Sequence, residues 1–259
     1  MSADFWQPLR ALTPARIGIG RAGNGLSTRA VLEAGAAHAL ARDAVHLPLD
    51  VDALAAELGG ECLRVASAAP DRATYLTRPD LGRRPDPATP PPTVDEPADL
   101  VVVLADGLSA TAVQKHALPL WRSLRDALPA DVVVGTPVIA TQARVALGDH
   151  IGAALRARMV LVLIGERPGL SSADSLGAYL TWDPRPGVPD SARNCVSNIR
   201  PPHGLDYATA TRTITALITG ARRLGATGVR LKDTSLDAVV EHRDRDDLAV
   251  ADGHQGRPG

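Results

Sequence analysis

A carboxylate and a guanidinium stand side by side where a long apolar run ends. The run covers Met159–Ile164, and Gly165 separates it from Glu166 and Arg167. Six apolar residues rich in Val and Ile predict a strand that is buried on both faces. Ligands bind beyond the carboxyl ends of strands in open parallel sheets, so both charged residues are candidate binding residues. The alternative is a charged turn between two core strands.

A second polar loop follows another predicted strand. Asp106 and Ser109 come directly after the apolar residues 100–104. They could hold a nucleotide or acyl group, but capping the next helix is the more typical role of both residue types. The chain has no Walker phosphate loop, no G-x-S-x-G elbow and no zinc-type spacing of Cys and His. These residues alone indicate an α/β ligand-binding domain with undefined chemistry.

One glycine-rich stretch matches a nucleotide-binding motif by letters only. Gly18–Gly23 reads G-x-G-x-x-G, and Asp43 follows about twenty residues later, as in dinucleotide-binding proteins. That motif needs a buried strand before it, whereas residues 13–17 include a proline and an arginine. We therefore interpret the stretch as a flexible turn that leads into a helix.

Composition excludes several classes of partner. The 259 residues carry a formal net charge of −1, so no strong field attracts nucleic acid or an acidic membrane. No apolar run reaches the roughly 20 residues of a membrane span, and no signal-peptide pattern is present. The two cysteines, Cys62 and Cys195, do not make a secreted disulfide scaffold. We expect a cytoplasmic protein.

The patterns divide the chain into three parts. Residues 1–95 predict a small, mainly helical region that ends in a Pro-rich connector, with helices beginning at Ser27 or Thr28 and after Asp50. Residues 96–233 alternate strands and helices, which predicts a Rossmann-like α/β domain with a parallel sheet. The predicted strands are 100–104, 132–134, 159–164, 176–182, 195–199 and 229–231, and the later helices are 117–128, 147–156 and 206–225. Residues 234–259 predict a disordered tail.

Five short sequence motifs (words) occur one after another along the chain. They are YLTRPDLGRR (75–84), ADGLS (105–109), GTP (135–137), GERPGLSSADSLGAYL (165–180) and CVSNI (195–199). Together they resemble the small subunit of ethanolamine ammonia-lyase, over roughly residues 8–232. Each word alone is a weak signal, but the set is specific.

The resemblance implies a function and a site. That enzyme uses adenosylcobalamin to convert ethanolamine to acetaldehyde and ammonia. Its large subunit carries the substrate site, and its small subunit closes over the cobalamin between the two chains. The family's cobalamin contacts correspond to Val145, Glu166 and Cys195. We expect no catalytic residue and no metal ligand in this chain, and a location in the cytoplasm or inside a bacterial microcompartment.

Two further hypotheses concern partners. The arginine-rich segment 75–84 suits a lasting contact with carboxylates of the large subunit. The alternatives to the lyase subunit are a stand-alone nucleotide- or acyl-binding protein that uses Asp106, Ser109 and Glu166, and a purely structural adaptor.

Overall fold

A six-stranded mixed sheet forms the centre of the molecule. The computed structural model describes residues 5–13 and 15–233. The strands are β1 (Leu63–Ala66), β2 (Ala98–Ala105), β3 (Val138–Thr141), β4 (Ala157–Gly165), β5 (Leu176–Trp182) and β6 (Arg193–Ile199). Their order across the sheet is β1-β3-β2-β4-β5-β6. The protein is therefore an α/β protein, as the sequence predicted.

The prediction of a parallel sheet is right for four strands and wrong for two. β1, β3, β2 and β4 pair in parallel, whereas β5 runs antiparallel to β4, and β6 antiparallel to β5. No helix lies between β4 and β5, and a short link with one 3-10 turn, Asp190–Ala192, connects β5 to β6. A parallel neighbour needs a crossover of a dozen or more residues, so these short links favour antiparallel pairing.

Helices cover both faces of the sheet. The α-helices of the described chain are α1 (Gln7–Arg10), α2 (Thr28–His46), α3 (Val51–Glu57), α4 (Arg72–Thr77), α5 (Ala110–Ala112), α6 (Leu118–Ala127), α7 (Leu147–Ala154) and α8 (Tyr207–Leu224), and a π-helix, Val113–Ala117, joins α5 to α6. In β4, Met159, Leu161 and Leu163 belong to one apolar core, and Val160 and Val162 belong to the other. This alternation confirms that the strand before Glu166 is buried on both faces. No helix in the described part of the chain is both long and apolar enough to span a membrane.

Two helix starts follow the predicted caps, Ser27 and Asp50, and the cap of α8 was not predicted as a cap. The side chain of Ser27 accepts a hydrogen bond from the Ala30 amide, and Asp50 accepts one from the Ala53 amide at 3.0 Å. Asp206 does the same for α8 at 2.7 Å. Each cap satisfies a backbone donor that has no partner within the helix, which fixes where the helix begins.

Four strand assignments differ from the sequence predictions, and one of them is β3, which no predicted strand covers. Residues 132–134 form no strand; only Val134 bridges to β2, and the regular ladder begins after Pro137. Residues 229–231 are also not a strand, because the positive φ of Gly228 turns the chain into a 3-10 turn. β1 was not predicted, since four residues with a charged Arg64 carry little periodic signal.

The predicted division of the chain stays a prediction at its two boundaries. The first 95 residues are not purely helical, because they supply β1 to the central sheet. The predicted tail, residues 234–259, lies outside the described residues.

Candidate functional site

A cleft of about 400 Å³ opens at the sheet edge where the parallel strands end. Gly107 and Leu108 follow β2, Arg144 and Val145 follow β3, and Glu166 follows β4, and all of them line the cleft. Tyr75, Ile164, Gly165, Arg167, Tyr179 and Ser197 complete its walls. The strand-end rule therefore located the cleft, because parallel strands deliver their following loops to one edge.

The carboxylate of Glu166 is the most fully bonded polar group of this cleft. Ser175 donates its hydroxyl to Oε2 at 2.6 Å, Ser197 donates its hydroxyl to Oε1, and the Asn198 amide donates to Oε2 at 3.2 Å. The Glu166 amide in turn donates to the Ser175 carbonyl at 2.9 Å. An ionised carboxylate has about four acceptor positions, so three bonds fix its orientation and leave about one position for a ligand.

Glycine makes room for this arrangement at two positions. A Cβ on Gly177 in β5 would lie 2.9 Å from Oε1 of Glu166, closer than real Cβ contacts allow. A Cβ on Gly107, which has a φ of 57°, would lie 2.2 Å from the Gly165 carbonyl oxygen. The chain after β2 and the end of β4 can therefore touch because both carry glycine there, at Gly107 and Gly165.

Tyr75 lines the cleft, and its ring contacts two arginine side chains. The guanidinium carbons of Arg72 and Arg144 lie 4.8 and 4.4 Å from the centre of its ring. Its hydroxyl donates to the Ala143 carbonyl at 2.9 Å, and burial raises the pKa of Tyr75. This stack ties α4 to the loop that carries Val145.

The rest of the segment 75–84 carries three arginines and one aspartate. Arg78 contacts Asp80 at 2.9 Å and Arg84 contacts it at 3.5 Å, so these two arginines pair within the segment. Its predicted role as a contact with a partner stays a prediction.

The three predicted site residues do not all reach the same surface. Val145 and Glu166 line the cleft, but Cys195 does not. Cys195 sits opposite Tyr179 in the β5–β6 ladder, at the margin of the cleft. Loss of solvent around the sulfur, and then the charge of Glu166, raise the pKa of the Cys195 thiol. Cys195 is a free and exposed cysteine, and a raised pKa means that its thiol is not activated as a nucleophile. Its predicted contact with a cofactor stays a prediction.

The other predicted polar pair acts within the fold. Ser109 caps α5 as predicted, accepting from the Ala112 amide at 3.2 Å. Asp106 was predicted as a helix cap, and this is wrong: it accepts the amides of Gln142 and Ala143 at 2.8 and 2.9 Å. Asp106 therefore orients the loop that leads to Val145. Among the described residues, no group of three His, Cys, Asp or Glu side chains could hold a metal ion.

Comparison with known proteins identifies the family. The family model described as "Ethanolamine ammonia-lyase light chain" matches residues 3–232. This chain belongs to the ethanolamine ammonia-lyase light-chain family. Two relatives named "Ethanolamine ammonia-lyase small subunit" are each 53% identical. The one from Rhodococcus erythropolis aligns over 92% of this chain and 93% of its own length, and the one from Azotobacter vinelandii over 88% of each. A third, from Ralstonia nicotianae, is 49% identical over 91% of each.

For this member of the light-chain family, sequence reasoning missed most of the residues around Glu166. Ser175, Gly177 and Tyr179 lie inside the word at 165–180, and Ser197 lies inside CVSNI. The words thus contained the signal. However, nothing in one sequence states that side chains 9 and 31 residues away bond the same carboxylate. The register of β4, β5 and β6 brings them together.

Proposed function

We propose that this chain is the small subunit of an adenosylcobalamin-dependent ethanolamine ammonia-lyase and that its cleft binds the cobalamin. A large subunit holds the other side of the cofactor and the substrate, and the complex converts ethanolamine to acetaldehyde and ammonia. The observation that carries the proposal is the oriented carboxylate of Glu166 in a cleft that Val145 also lines. Family membership supports the same assignment.

The donor set of the cleft fits a corrin ring. The rim of a corrin carries uncharged amides, and a carboxylate with about one open acceptor position suits one amide N–H. Such a charge-assisted hydrogen bond is roughly twice as strong as a neutral one. Val145 offers apolar contact, and a Cys195 thiol kept neutral offers a soft, uncharged margin. The volume of about 400 Å³ suits part of the cofactor, which supports a partner on its far side.

The residues of this chain would contribute by positioning the cobalamin. Bound cobalamin would supply the radical chemistry of the reaction. Glu166 would fix the rotation of the ring about its axis, because its carboxylate is already held by Ser175, Ser197 and Asn198. Val145 would exclude water from the part of the cofactor that lies beside it. We place the residues that act on ethanolamine in the large subunit.

The alternative of a stand-alone nucleotide- or acyl-binding protein has less support. It relied on Asp106, Ser109 and Glu166, and the side chains of Asp106 and Ser109 are engaged within the fold. That alternative predicts saturable ATP or acyl-coenzyme A binding by the chain alone.

The test is a titration of the two-subunit complex with cyanocobalamin, followed by visible absorbance. Glu166→Ala removes one charge-assisted hydrogen bond, worth about 1.5–3 kcal/mol, so Kd should rise roughly 10- to 150-fold. Glu61→Ala, an exposed glutamate before β1, is the matched control and should leave Kd unchanged. Equal affinity of the Glu166→Ala complex and the wild type would reject the proposed contact.

A further inference from the structure

Helix α2 exposes an aliphatic stripe. Leu32 and Leu40 on the helix and Leu47, directly after its last residue, are 68%, 64% and 52% exposed, and the exposed Ala36 lies between the first two. Ala30, Ala37 and Ala44 are buried on another side of the helix. The helix thus packs on the protein through alanines and leaves its largest apolar side chains in water. A row of this kind is typical of a protein-binding surface rather than of scattered surface leucines.

A groove runs between this stripe and the loop that follows β4. Its volume is about 500 Å³, and Leu40, Leu47 and Leu170 form apolar walls. Asp174 and Arg200 also line it, and Asp43 lies on the α2 side. We name this surface the α2 groove, defined by the α2 stripe, residues 170–174 and Arg200.

The charged end of the α2 groove has too few acceptors. Asp174 faces Lys115 at 2.6 Å, His116 Nε2 at 3.7 Å and Arg200 Nη1 at 3.8 Å. Within the described part of the chain, the buried Nε2 of His116 and Nε of Arg200 have no hydrogen-bond partner. A single carboxylate therefore serves two permanent cations and a histidine. Asp174 alone cannot neutralise both Lys115 and Arg200, and Arg200 lines the groove, so an added carboxylate there would be stabilised by charge.

We infer that the α2 groove is the docking surface for an apolar segment of the large subunit that carries an Asp or Glu side chain to Arg200. This inference rests on the proposed assembly with a large subunit. The stripe from Leu32 to Leu47 spans roughly 22 Å at 1.5 Å per residue, which exceeds a small ligand and suits a helix lying in a groove.

The position of the groove favours the large subunit over a second copy of this chain. The loop that begins at Glu166 in the cleft continues to Leu170 and Asp174 in the groove. Ser175, the neighbour of Asp174, holds the Glu166 carboxylate. A segment in the groove would thus lie beside the cleft that the partner must cover, and would steady the loop that orients Glu166.

The experiment measures retention of this chain on a tagged large subunit. The double variant Leu40→Asp, Leu47→Asp places charge in the groove and should lower retention tenfold or more, as roughly expected for central interface residues. Val229→Asp is the matched control, because Val229 is 82% exposed outside the groove, and should retain the wild-type amount. Arg200→Gln should also weaken retention by roughly tenfold, since the acidic side chain loses its cation. Circular dichroism of each variant checks folding.

The outcomes separate this inference from the proposed function. A wild-type chain that is not retained would reject the assembly itself. Wild-type retention by the leucine double variant would overturn the docking surface while leaving the assembly intact. Two other results would also overturn it: self-association that depends on Leu40 while large-subunit binding is unchanged, or thermal stabilisation by inorganic phosphate that requires Arg200 with no effect of the variants on retention.

Discussion

Gly177 offers a sharp test of how Glu166 is positioned, because the replacement Gly177→Ala adds one methyl group beside the carboxylate. The new Cβ would lie 2.9 Å from Oε1 and 3.2 Å from Cγ of Glu166, and 3.1 Å from Cε2 of Tyr179. Ordinary contacts of a Cβ begin near 3.4 Å, so the carboxylate must move by several tenths of an ångström. That movement strains the bonds from Ser175 and Ser197.

The expected cost is about half of one strong hydrogen bond. A bond to a charged group contributes about 1.5–3 kcal/mol, and partial misplacement should lose about half of this, so Kd for cyanocobalamin should rise by up to roughly tenfold. Visible absorbance titration of the two-subunit complex measures this change. Gly25→Ala is the control, because its Cβ would meet only a carbonyl oxygen 3.9 Å away.

A double-mutant cycle decides whether Gly177 acts through Glu166. In a Glu166→Ala background there is no carboxylate to displace, so Gly177→Ala should have no further effect. If Gly177→Ala binds cyanocobalamin with the wild-type Kd, the tight fit around the carboxylate does not contribute to cobalamin binding. If the tenfold loss persists without Glu166, the methyl group acts through another neighbour, such as Tyr179, and the reasoning fails.

Two further predictions concern stability and reactivity. Arg193 and Asp149 form a buried two-point ion pair at 2.5 and 2.7 Å, with side chains 2% and 1% exposed, so Asp149→Asn should cost about 3–5 kcal/mol in urea unfolding. Replacing both residues together, Asp149→Leu with Arg193→Met, should cost less, and an Asp149→Asn loss under about 1 kcal/mol would contradict this view. The raised pKa of the Cys195 thiol means less thiolate at any pH below it, so alkylation by iodoacetamide should be slow at pH 7 and still rising above pH 9, with Cys195→Ser as control. A rate that levels off by about pH 10, as expected for an unshifted thiol, would refute the raised pKa.

Sequence reasoning located much of the fold because its signals are local. The strand at 176–182 has the predicted bounds, and the cap residues Ser27, Asp50 and Asp206 mark real helix starts. Capping depends on a side chain and a backbone amide three residues apart, which one sequence contains in full. The strand predictions that failed, at 132–134 and 229–231, rested on short apolar runs. A short run forms a strand only where another part of the chain pairs with it, and the run itself does not contain that information.

By itself the sequence determined where a buried strand ends and that Glu166 stands at that end. It also determined the family, through words whose order is specific. Only the tertiary structure decided that β5 and β6 turn back beside β4 and bring Ser175, Gly177 and Ser197 to the same carboxylate. The physical reason is range: a strand or cap forms between near neighbours, whereas a hydrogen bond within about 3 Å requires strand register, which depends on the packing of the whole sheet.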